Sequence, residues 1–269
     1  MLDNVTIVCF LASYTVALAL ELLFQFRRRE VIRWAALGFG AAGLVAQTIF
    51  LAVQKPLLIR QFGWMLFLAW ILAIFYLIGS VHHRRLSWGL FVLPLVVGLV
   101  VLGAIFGQPS SENGRGENLL PIQDAWGAIH GGLLFLATVG LCVGFLASSM
   151  YLVQIQRLRA KTLPGQGLRL WSLERLEAMN RRAIVLAFPL LTAGMIVGLV
   201  LMLQANLSGW TDPRVLASGV LWLAFAVLLY LRYGYHLRGR SVALLTILTF
   251  VLLVGCLVLP HWSGQGGGR

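Results

Sequence analysis

The chain has 269 residues, of which 59% are apolar and 11% charged, with a formal net charge of +12. So apolar a composition leaves too little polar surface to clothe a soluble core of this length. The positive charge would suit a nucleic-acid binder only if it formed one basic face, and its spread along the chain excludes that.

Eight apolar runs follow one another, at roughly 5–25, 34–53, 63–81, 88–107, 127–154, 183–205, 216–236 and 241–260. Each approaches or exceeds the ~20 residues that cross a hydrocarbon layer about 30 Å thick. Backbone amides in lipid must pair within their own segment, so each run is predicted to be a helix. The expected fold is all-α: a polytopic membrane protein with about eight transmembrane helices, in one transmembrane domain over 1–262. The tail from Ser263 to Arg269, rich in glycine, is expected to be disordered.

The first run does not read as a cleavable signal. Met1 to Thr6 carry no positive charge and include Asp3, and the basic cluster Arg27, Arg28 and Arg29 follows the apolar run instead of preceding it. Further along, Lys and Arg fall in alternate loops: Arg27 to Arg33, Arg84 and Arg85, seven between Arg157 and Arg182, then Arg232, Arg238 and Arg240, which is sixteen of the 21. Lys55, Arg60, Arg115, Arg214 and Arg269 occupy the other set, offset by Asp3, Glu112, Glu117, Asp124 and Asp212. Positive loops stay inside, so both termini are predicted outside. The charge orients the chain and draws anionic lipid; it is not a nucleic-acid footprint.

Between the spans, the outer loop 108–125 is rich in Gly, Ser and Asn and reads as mobile. The inner loop 155–182 contains Leu163-Pro-Gly-Gln-Gly and then a Ser172-led run with leucines three apart, read as a capped amphipathic helix at the inner surface. No internal repeat suggests an inverted-repeat transporter. Cys9, Cys142 and Cys256 all lie in apolar runs, form no close-spaced pair, and read as small core residues.

Chemistry-bearing groups are few. Glu21 and Arg232 lie near inner helix ends, where both are expected to snorkel to the interface. No acid–base pair, metal-ligand spacing, phosphate loop or nucleophile elbow occurs, so no enzyme is expected. His82, His83 and His236 stand among inner arginines as interfacial anchors. His130, in Trp126-Gly-Ala-Ile-His-Gly-Gly, heads the fifth span, and His261 follows the eighth. The predicted topology puts both outside, where two imidazoles could serve as axial ligands to one haem iron. Gly131 and Gly132 would admit a porphyrin edge or another helix, and Trp126 and Trp262 could flank a ring.

The run Ser172-Leu-Glu-Arg-Leu-Glu-Ala-Met-Asn-Arg-Arg-Ala-Ile-Val-Leu-Ala-Phe-Pro-Leu-Leu-Thr-Ala-Gly-Met-Ile-Val-Gly198 resembles the cytochrome c assembly protein family. This is the group of CcsA/HemX-type haem-handling membrane proteins, here in its short HemX/YpjD-like branch. His130 matches the family's histidine at the start of the preceding span, and Arg238-Gly-Arg240 matches its loop before the final span. The likeness covers about 120–260. It implies haem bound at the outer face, with His130 as the first axial ligand and His261, by location, as the second. The family's tryptophan-rich outer loop is matched by Asn206 to Arg214, keeping Trp210, Asp212 and Pro213 with Trp222 beyond. No histidine occupies the middle of any span, so haem export through an internal relay is not expected.

The resemblance therefore implies a bacterial inner-membrane protein that binds or presents haem b at the periplasmic face during cytochrome c biogenesis. Trp126 and Trp210 are the ring-packing candidates, and cytochrome c assembly proteins or a haem-synthesis enzyme the candidate partners. The alternative is a regulator or scaffold that binds no haem and docks a partner through the basic inner loop.

Overall fold

A computed structural model of the chain describes residues 7–27, 29–53, 63–82, 87–106, 125–160, 170–204, 213–235 and 239–262. Among them are eight helices: α1 (Ile7–Arg27), α2 (Glu30–Val53), α3 (Gly63–His82), α4 (Gly89–Phe106), α5 (Ala125–Arg159), α6 (Leu173–Gln204), α7 (Pro213–Tyr233) and α8 (Arg240–Trp262). They follow the eight apolar runs in order. Six are long and apolar enough to cross a membrane, and α4 and α8 are apolar over Gly89–Ile105 and Arg240–Gly255. The chain is a polytopic helical membrane protein. The loop 108–124, Trp210 and the tail 263–269 lie outside the described residues.

The helices fall into two compact units, one holding α1 to α4 and the other α5 to α8. Each is a four-helix ring in which sequence neighbours pack together and the last helix returns to the first. Residues within each ring fix the up-and-down order. In the first, Glu21 late in α1 meets Tyr76 late in α3, and a methyl built on Gly89, which opens α4, would fall 2.6 Å from Glu21 Oε1. In the second, Asn180 early in α6 meets Thr246 early in α8. At one end of the first unit stand Arg27, Arg29 and Arg33; one end of the second gathers Arg157, Arg159, Arg175, Arg181, Arg182 and Arg240. The alternating loops of the sequence thus become one basic end per unit, as positive-inside orientation requires.

Three sequence expectations are corrected. The surface helix expected near 172–182 is not separate: α6 is continuous for 32 residues, about 48 Å at 1.5 Å per residue, so it projects past the hydrocarbon layer. Its start is capped as expected, with the Arg175 amide donating to Ser172 Oγ at 3.4 Å. Glu21 does not snorkel. It is 7% exposed and accepts a hydrogen bond from Tyr76 Oη at 3.2 Å, because the ring of four helices closes over it. Arg232 is likewise buried. Finally, Cys142 is buried but Cys9 is exposed on the outer surface of its helix, a position suited to lipid. The side chain of Cys256 lies outside the described residues.

Candidate functional site

The α5–α6 pair is held close by small residues. A methyl built on Gly140 would lie 2.9 Å from Ala187 Cβ, and one on Gly194 2.8 Å from Leu134 Cδ2. Without strong hydrophobic drive between helices in lipid, such small-residue contacts let backbones approach and dispersion accumulate. The antiparallel register runs from Gly144 beside Asn180, through Gly140 beside Ala183 and Ala187, to His130 beside Gly194 and Gly198.

His130 closes this interface at the end away from Arg157 and Arg159. Its Nδ1 lies 2.7 Å from the backbone oxygen of Gly194. A carbonyl oxygen can only accept, so Nδ1 carries the proton and donates. The ring edge rests on Gly198, where a built methyl would fall 2.5 Å from Cε1, 2.9 Å from Nδ1 and 3.3 Å from Nε2. Any larger residue there would displace the imidazole. With Nδ1–H committed, the lone pair of a neutral ring sits on Nε2, which makes no hydrogen bond among the described residues. That is the arrangement of a metal-ligating histidine, whose other nitrogen is usually fixed by a carbonyl or carboxylate.

Around it, Trp126 lies one turn earlier on the same face of α5 and is 62% exposed. Gly131 and Gly132 are exposed, and no atom comes within 4 Å of a methyl built on either. No described helix uses the room they leave. Trp222 ties α7 to α6 by donating to Thr192 Oγ1 at 3.0 Å, with its ring 5.8 Å from that of Phe188.

His261 lies in the last turn of α8, and its side chain, with that of Trp262, is outside the described residues. Its depth still follows from the backbone. Asn180 and Thr246 both lie 3.4 Å from a methyl built on Gly144, which sets a common level for α5, α6 and α8. From that level His130 is 14 residues along α5 and His261 15 along α8 in the opposite chain direction. At 1.5 Å per residue both stand about 21–23 Å above it. The helices that carry them pack against each other, Phe145 stacking on Phe250 at 4.1 Å. The two histidines therefore share one end of the second unit, the end opposite Arg157, Arg159 and Arg175. Trp210 precedes α7, which begins at that same end.

Sequence reasoning missed the seat formed by Gly194 and Gly198. The signal was present, as two glycines four apart in an apolar run, the spacing of close helix approach. Among the described residues no three of His, Cys, Asp or Glu cluster to hold a bare metal ion.

A family model described as cytochrome C assembly protein matches residues 58–266, well over half the chain. Among similar proteins is the cytochrome c biogenesis protein CcsA of Chlamydomonas reinhardtii, 26% identical over 75% of this chain and 57% of the relative. CcsA of Gloeobacter violaceus is 24% identical, covering 93% of this chain and 89% of its own. CcsA of Synechococcus elongatus is 27% identical over 74% of each. The chain thus spans little more than half the length of the algal relative. No solved structure matches it.

Proposed function

Because the chain belongs to the cytochrome c assembly protein family, we propose that it holds or presents haem b at the outer, periplasmic face of a bacterial inner membrane for cytochrome c biogenesis. His130 is the first axial ligand. The observation that carries the reading is its Nδ1–H donated to Gly194 O at 2.7 Å, which orients the ring and leaves Nε2 with its lone pair for iron.

The surroundings suit a porphyrin. Open backbone at Gly131 and Gly132 gives a flat ring room beside α5. Trp126, exposed one turn away, offers an indole face, and Trp210 precedes the neighbouring helix. His261, at the same depth on α8, is the second ligand. When bound, haem would supply an iron with two axial positions, and the protein's own part is to orient an imidazole and exclude water from the ring. No bond change in haem is required, so the protein acts in delivery and not as an enzyme. Its partners are then haem itself and other cytochrome c assembly proteins that receive it, with the basic end of each unit against anionic lipid.

Titration of the purified full chain with haemin tests the reading. Saturable binding near one haem per chain is expected. Binding no greater than to an unrelated membrane protein of similar hydropathy would overturn it and leave the scaffold reading.

A further inference from the structure

Away from the histidines, the basic end of the second unit buries polar groups from all four of its helices. Asn180 (α6) and Thr246 (α8) satisfy each other at 3.3 Å. Ser148 (α5) is fully buried and its Oγ has no partner among the described residues. Arg232 (α7) is 8% exposed. One of its terminal nitrogens, Nη2, lies 4.0 Å from Glu177 Oε1, too far for a hydrogen bond, and the Glu177 side chain is 35% exposed. The other, Nη1, is buried with no hydrogen-bond partner among the described residues.

A guanidinium in such a place is costly unless both its charge and its donors are met. Glu177 meets part of the charge and neither of the two nitrogens. The planar fork suits a carboxylate or phosphate, whose paired oxygens accept from both terminal nitrogens at once. One turn beyond Gly144 on α5, Ser148 stands at the level of Glu177 and supplies a hydroxyl there that, like Arg232 Nη1, has no partner among the described residues. The exposed arginines Arg175, Arg181 and Arg182 at this end raise the local concentration of anions, while Arg232 is buried within the helix ring.

We propose that the basic end of the second unit carries a seat for a single oxyanion, the phosphate or carboxylate of an amphiphile in the inner leaflet, gripped by Arg232. The seat is independent of the histidine end. On binding, Glu177 gives way to the incoming anion and turns to water.

The test uses the purified full chain in lipid nanodiscs. One arm follows retention of phosphatidylglycerol against phosphatidylcholine by native mass spectrometry, and another compares haemin with haemin dimethyl ester in the His130→Ala background. Wild type is expected to retain one phosphatidylglycerol, or to prefer haemin over its ester; the first result identifies a phosphate, the second a carboxylate. Arg232→Gln should weaken the preferred ligand about tenfold, and Arg27→Gln, which removes an exposed arginine of the first unit, should leave it unchanged. If Arg232→Gln fails to fold, Arg232→Lys keeps the charge without the fork and should still weaken binding severalfold. Equal binding by wild type and the Arg232 variants in both arms, or equal weakening by Arg27→Gln, would overturn the proposal.

Discussion

Gly198 and His130 share one site: the imidazole lies where any β-carbon on residue 198 would have to be, 2.5 Å from Cε1. The hydrogen bond to Gly194 one turn earlier then sets the ring's rotation and its tautomer. Two glycines on α6 thus decide how a histidine on α5 is presented.

Gly198→Ala is therefore expected to weaken haem binding about 10- to 100-fold, the usual effect of disturbing the group that orients a ligand. Gly140→Ala is the matched control. It crowds Ala187 at 2.9 Å in the same helix pair but lies nearly three turns from His130. It should cost about 1–3 kcal/mol of stability and leave the haem spectrum unchanged. Haemin titration with thermal unfolding of both variants in detergent separates the two effects.

The buried Asn180–Thr246 pair should couple α6 to α8. Thr246→Val and Asn180→Leu are each expected to destabilise the fold, and the double variant by less than their sum. A coupling of about 0.6 kcal/mol, and no more than ~1.7, is the range for hydrogen bonds between helices in membranes. A double-mutant cycle by unfolding in mixed micelles measures it, and strict additivity would show that the contact contributes nothing.

Orientation can be read by labelling. In a background with Cys9, Cys142 and Cys256 replaced, a membrane-impermeant maleimide should modify Ser111→Cys in intact cells and spare Thr162→Cys until the membrane is opened. The reverse pattern would place His130 on the cytoplasmic side and remove the periplasmic site.

The eight helices and the basic ends were legible because a bilayer imposes length, internal hydrogen bonding and charge bias on every segment separately. What depends on several segments at once was not. Ser172 announced a helix start, but the charges from Glu174 to Arg182 looked like a surface helix, since composition changes at the interface while a long helix simply continues through it. Glu21 looked able to reach water, because nothing in its own span shows Tyr76 and Gly89 converging on it. Arg232 misled in the same way. His130 was recognisable by residue type and position, whereas its seat needed the register of α5 against α6.

The central claim, that His130 ligates haem iron through Nε2, is tested most directly by the absorption spectrum of haem-loaded wild type beside His130→Ala. Wild type is expected to show a six-coordinate, low-spin Soret band that is lost in His130→Ala while the variant keeps its helical content. An identical low-spin spectrum in folded His130→Ala would contradict it.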